Sequence, residues 1–241
     1  MMGPTHALSA AGVFLAVSFP ISHYVHHLGP LPAAVGTIVA AGAGLLPDLD
    51  HPSASPARAF GPISQTAARI VCAVSGGHRH ATHSLVGLAV FTAGAVAASF
   101  NVWALTVLIW LCMGLGVRAL WRRPPNRPNG RLDYRDVAGL VHAAVAFFIA
   151  FRLTHAGIDL WVVPVAVGVG YFVHLAGDSM TESGVNWLWP DRRRFRIASI
   201  DTGKSVERWV VVPALYVGIA AVVYVTHGTW VPALLHTIKP E

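Results

Sequence analysis

The stretch LVGLAVFTAGAVAASFNVWALTVLIWLCMGLG (residues 85–116) contains no Asp, Glu, Lys or Arg and is broken only by a Ser-Phe-Asn turn near its middle. Each half approaches the roughly twenty mostly apolar residues that a helix needs to cross a bilayer. The same reading carried outward gives seven candidate spans: 7–22, 31–47, 83–99, 102–121, 137–153, 160–178 and 209–226. The second, third and fifth are short, so counts of six or eight stay open. The expected fold is all-α: a polytopic bundle of about six or seven transmembrane helices forming one integral-membrane domain over residues 1–241.

Composition supports this reading. Of 241 residues, 54% are hydrophobic and 12% charged, and the mean hydropathy is +0.57, outside the usual balance of a soluble domain. The N-terminus has no Lys or Arg before its apolar run, so it reads as a retained helix and not a signal peptide. Two cysteines, Cys72 and Cys112, match neither a disulfide framework nor a paired-Cys zinc pattern. A net charge of +6 packed into short loops favours an anionic lipid surface or a phosphate-bearing substrate over nucleic acid.

Lys and Arg also assign the loops to sides. With seven spans, fifteen of the seventeen fall on one side, leaving only Arg152 and Lys239 on the other. By the positive-inside rule the N-terminus is expected to be cytoplasmic and the C-terminus outside. The segment 61–74 has Ile63, Ile70 and Val71 spaced for one face of a helix lying along the interface. The stretch RRPPNRPNGRLDYRD (122–136) reads as a basic cytoplasmic loop.

Ionisable residues next to membrane-embedded helices are costly, and where they gather a functional role is the default. Four clusters fall at the cytoplasmic end of this topology: His6 at the start of span one; Asp48, Asp50 and His51 after span two; His78, His80 and His83 leading into span three; and His174, Asp178 and Glu182 at the end of span six. The topology was set by Lys and Arg alone, so their convergence is independent of it. His174, Asp178 and Glu182 are spaced i, i+4 and i+8, near one helical face. Asp48 and Asp50, one residue apart in an extended turn, send two carboxylates to one side. Thr82 is a suitable N-cap for span three. His6, Asp48, Asp50, His78, His83, His174 and Asp178 make seven candidate ligands, about right for two divalent ions. Nitrogen and oxygen donors without thiolate suit Zn, with Mn or Fe also open. His51 and His80 have better-placed neighbours, and His142 reads as a core histidine.

At these residues the chain resembles the YdjM family of membrane-bound metal-dependent hydrolases. The likeness lies in Thr5-His6, the L-P-D-x-D-H run from Leu46 to His51, the H-R-x-x-T-H-S run (His78, Arg79, Thr82, His83, Ser84), and the stretch His174, Asp178, Thr181, Gly184 and Val185 with Leu188 to Pro190. It favours His78 and His83 over His80. It implies a hydrolase of the inner membrane, distantly similar to zinc-dependent phospholipase C and the S1/P1 nucleases. The N-terminal Trp ligand of those soluble enzymes is missing from this chain, and with it the ground for a three-metal centre.

On that footing one or two divalent ions, most readily Zn, would activate a water toward a phosphoester in an amphipathic, lipid-linked substrate. Asp50 or Asp48 would bridge the ions, Arg79 would clamp a substrate phosphate, and Glu182 would act as general base or further ligand. Expected partners are membrane lipids and that substrate, with no nucleic acid and no oligomeric state legible. The rival class is a non-catalytic metal-binding membrane protein, a transporter or scaffold; an H-E-x-x-H protease motif is absent.

Overall fold

The computed structural model describes residues 2–51, 54, 56–60, 62–120, 134–191, 193–198 and 205–227. Among these residues the chain is all-helical. Eight α-helices follow in order: α1 (Gly3–Tyr24), α2 (Pro30–Ala43), α3 (Pro62–Ser75), α4 (Leu85–Ser99), α5 (Val102–Leu120), α6 (Tyr134–His155), α7 (Val162–Ser179) and α8 (Val212–His227). Short 3₁₀ turns at Pro47–Asp50, Pro56–Arg58 and Ala81–His83 join them, and a π-turn at Glu207–Val211 leads into α8.

All seven apolar segments expected from the sequence are helical. Among the described residues, four stretches are long and apolar enough to cross a membrane: Gly3–Tyr24, Pro30–Asp50, Val102–Ala119 and Val162–Ser179; Leu85–Ser99, Gly139–His155 and Trp209–Val225 are shorter apolar helices. The basic stretch 122–136 lies outside the described residues up to position 133, and Tyr134 opens α6.

α2 is the axis of the bundle. It packs against α1, α5 and α7; α7 in turn meets α1 and α4, α6 lies on α5, and α8 lies on α1. Small residues let these helices approach closely. A Cβ on Gly42 would fall 1.9 Å from the Cys112 carbonyl oxygen of α5, and one on Gly170 would fall 2.3 Å from the Ala40 oxygen. Phe14, Val39, Leu45, Leu46, Ile109, Val163 and Tyr171 fill the space between them. Cys72 and Cys112 are unpaired thiols.

The expected helix forms as α3; of the apolar residues expected on one face, Ile70 is exposed, Val71 packs partly buried against the core, and the side chain of Ile63 lies outside the described ones. Ser64, Ala68 and Ser75 are buried, while Ile70 and Val74 are exposed. Small residues are what fit under α3, because it lies close against the 3₁₀ turns at 47–50 and 56–58.

Candidate metal centre

The centre is assembled at one end of the bundle from four elements. α2 stops at Ala43, and Gly44, Leu45 and Leu46 carry the chain into a 3₁₀ turn opened by Pro47. Leu45 and Leu46 are buried, which anchors the turn bearing Asp48 and Asp50. Gly76 and Gly77, with φ of +81° and +111°, end α3 and reverse the chain. Arg79 follows at φ +62°, a left-handed conformation that a bulky side chain adopts only where its surroundings compensate. Compensation is visible: its backbone N–H donates to Asp50 Oδ2 at 2.9 Å.

Asp48 and Asp50 do not point the same way, contrary to the expectation of an extended turn. In a 3₁₀ turn each residue advances about 120°, so positions i and i+2 diverge. Both nevertheless grip His83, from opposite ring nitrogens: Nδ1 lies 3.2 Å from Asp50 Oδ2, and Nε2 lies 3.7 Å from Asp48 Oδ1. Asp50, fully buried, also accepts from His78 Nδ1 at 2.6 Å and from the Thr82 hydroxyl. Its two oxygens thus serve four donors, and it falls in none of the ligand groups described below. Thr82 donates to Asp50 and sits within the 3₁₀ turn 81–83, so it is not the cap of α4. Ser84 is that cap, accepting from Val86 N and Gly87 N at 3.2 and 3.3 Å.

α7 presents His174 and Asp178 one turn apart, both buried, with His174 Nε2 3.8 Å from Asp178 Oδ2. The Gly44 carbonyl accepts from His174 Nδ1 at 2.7 Å. His6, from the first turns of α1, stacks on His174 with ring centroids 3.9 Å apart and places Nε2 3.1 Å from Asp178 Oδ1. His6 Nδ1 is buried with no hydrogen-bond partner among the described residues. Glu182 is not on this face: α7 ends at Ser179, the chain turns at Gly184 (φ +61°), and Glu182 is exposed.

Tautomers follow from these bonds. A carbonyl and a carboxylate can only accept, so Nδ1 carries the proton in both His174 and His83, leaving two Nε2 lone pairs facing each other 3.3 Å apart. That is repulsive unless a cation or a proton lies between them. Burial alone would favour a neutral His83, but Asp48 and Asp50 outweigh it and raise its pKa from 6.5 to about 9.

Three groups of side chains have ligand atoms lying within 4.8 Å of one another and could hold a metal ion: His6, Asp48 and His174; Asp48, His78 and His83; and His83, His174 and Asp178. His83 and His174 Nε2 each lie 3.7–3.8 Å from Asp48 Oδ1, and each 3.8 Å from Asp178 Oδ2. A tetrahedral ion with bonds of about 2.0–2.1 Å would require ligand–ligand edges of about 3.3–3.4 Å. The His83–His174 edge of 3.3 Å matches this and the His–Asp edges exceed it by a few tenths of an ångström, so the three-donor set His83, His174 and Asp178 comes close to the size of such an ion. Asp48, His83 and His174 each belong to two of the three groups, so the groups overlap into one cluster.

Arg79 closes the rim. Its guanidinium lies 2.9 Å from Asp178 Oδ2 and is 17% exposed. Sequence reading missed three supporting residues. Thr82 holds Asp50. Tyr171, one turn before His174 on α7, donates from its hydroxyl to the Thr82 carbonyl. Buried Glu207 accepts from Met2 N at 2.6 Å, fixing the start of α1 just ahead of His6. Tyr171 had a signal, its i, i+3 spacing to His174; Glu207 had none. His80 Nδ1 bonds the His78 carbonyl, and His142 faces the Gly114 carbonyl on α5; neither joins a ligand group.

No curated protein and no solved structure matches the chain. The family model described as YdjM inner membrane protein matches residues 1–120 and 137–235, which takes in every residue of the cluster. Apolar helices and this near-complete match agree on a membrane protein, and the chain belongs to the YdjM inner membrane protein family.

Proposed function

We propose that this protein is a membrane-bound, metal-dependent hydrolase that cleaves a phosphoester in a lipid or lipid-linked substrate. The observation that carries the reading is the facing pair of His83 and His174 Nε2 atoms between Asp48 and Asp178. A buried set of N and O donors that overlaps into three groups suits one or two Zn ions, or Mn or Fe.

In this reading α1, α2 and α4 to α8 are the spans, α3 lies along the surface, and the cluster faces the cytoplasm. His6, Asp48, His78, His83, His174 and Asp178 hold the ions, with Asp48 shared. When bound, divalent ions in such a site lower the pKa of coordinated water toward 7 and offset charge on a phosphoryl oxygen. The chain's own contribution is orientation and anion binding. Asp50 and the Gly44 carbonyl fix Nδ1 of His78, His83 and His174, so that Nε2 is the donor in each. Arg79 at the rim supplies a fork of N–H donors for phosphate oxygens. The N-terminus of α4, immediately after His83, adds a favourable dipole for an anion. Exposed Glu182 takes no part.

Protein purified in detergent, assayed for bound metal and for hydrolysis of a phospholipid panel and a generic phosphodiester, tests this. Turnover abolished by chelator and by Asp48→Ala is the expected result. Bound metal without turnover on any substrate would replace the enzyme with a metal-binding scaffold.

A further inference from the structure

Beyond α7 the chain folds back as a tethered loop. Val185 and Phe195 form an antiparallel bridge with N···O distances of 3.1 and 2.9 Å, and Ile197 N donates to the Ser179 carbonyl at 2.8 Å. The segment is thus fastened to the end of α7 that carries His174 and Asp178. It carries Arg193, Arg194 and Arg196, all exposed, interleaved with Phe195 (41% exposed) and Ile197 (82% exposed). Arg194 and Arg196 reach the Ser183 and Glu182 carbonyls only at 3.5 and 3.4 Å, each through one nitrogen. Among the described residues these are the hydrogen bonds their guanidinium groups make, which leaves N–H donors for a ligand. Among the described residues, Asp191 lies 3.6 Å from Arg193 and Glu182 is exposed.

We propose that residues 193–197 form a docking surface for anionic phospholipid headgroups, with Arg194 and Arg196 on the phosphate and Phe195 and Ile197 in the acyl boundary. Water would leave the two apolar side chains unsatisfied, and a zwitterionic surface would leave the guanidinium groups without net charge to meet; an anionic bilayer surface accommodates both. Guanidinium forks match phosphate geometry. The surface shares no side chain with the ion-holding cluster, so it does not depend on hydrolysis.

Short-chain phosphatidylglycerol, phosphatidylcholine and inorganic phosphate titrated separately into detergent-solubilised full-length protein test this. Phosphatidylglycerol should bind, phosphatidylcholine should not, and phosphate should bind far more weakly. Arg194→Gln with Arg196→Gln should weaken phosphatidylglycerol about thirtyfold, on the scale of two surface charges. The corresponding Lys pair should keep most of the affinity, and Phe195→Ser with Ile197→Ser should weaken the lipid alone. Unchanged metal content and melting temperature in each variant show that the fold is intact. Equal binding of phosphatidylglycerol by wild type and the Gln pair, equal binding of the two lipids, or phosphate binding as tightly as lipid would each overturn the assignment.

Discussion

His83 and His174, ninety-one residues apart, face each other Nε2 to Nε2 at 3.3 Å, with each Nδ1 already bound to an acceptor. Two neutral imidazoles so arranged repel, so the gap calls for a shared cation: a metal ion or, without one, the second proton that His83 keeps up to about pH 9.

Removing either ring should therefore remove the ion. His83→Ala and His174→Ala are expected to purify with little bound metal by elemental analysis, whereas His80→Ala and His142→Ala should match wild type. Full metal content in the first pair would sink the shared-ion account.

Asp50 behaves differently from Asp48, because its oxygens are occupied by His78, His83, Thr82 and the Arg79 backbone. Asp50→Asn should keep the stoichiometry but weaken the metal about 10- to 100-fold, as is usual for groups that orient ligating histidines. Competition with a chromophoric chelator measures this; Asp48→Asn, by contrast, should lower the stoichiometry itself.

Proton and metal compete at His83. Without an ion its pKa is raised to about 9 by Asp48 and Asp50, so at pH 7 it holds a proton that metal must displace. Apparent affinity should rise with pH through neutrality and level off near pH 9. A calorimetric titration in buffers of different ionisation enthalpy should register proton release on binding at pH 7, and none at pH 10.

Glu182 should be dispensable. It is exposed and lies past the end of α7, so Glu182→Ala should leave metal content unchanged and the melting temperature within a degree or two, the usual outcome at an exposed position.

Gly42 should not tolerate a side chain. Its Cβ would strike the Cys112 carbonyl at 1.9 Å, and backbone cannot rotate aside as a side chain can. Gly42→Ala is expected to cost about 3 kcal/mol, the upper part of the overpacking range, read as a lower melting temperature, while Gly94→Ala, which meets open space, should be neutral.

How much of this was legible in the residues differs from element to element. Seven apolar runs became seven helices, because hydropathy and length are local properties that a bilayer reads directly. The spacing His174 to Asp178 also held, since both lie within one uninterrupted helix. Extending that helix by one more turn to Glu182 failed: Met180 caps α7 and Gly184 supplies the turn. Thr82 as a cap failed as well, because the chain stays in a 3₁₀ turn through His83 and α4 begins only at Leu85, which puts Ser84 at the cap.

By itself, the sequence determined the apolar helices and which imidazoles and carboxylates stood beside them, since these depend on neighbours a few residues away. Tertiary structure alone decided that Asp48 faces the two Nε2 atoms while Asp50 braces the rings from behind. It also decided that Arg79 closes on Asp178 and that Glu207 pins the start of α1. Those roles depend on how closely α1, α2 and α7 approach, which glycine contacts and packed side chains set across distances that no local spacing records.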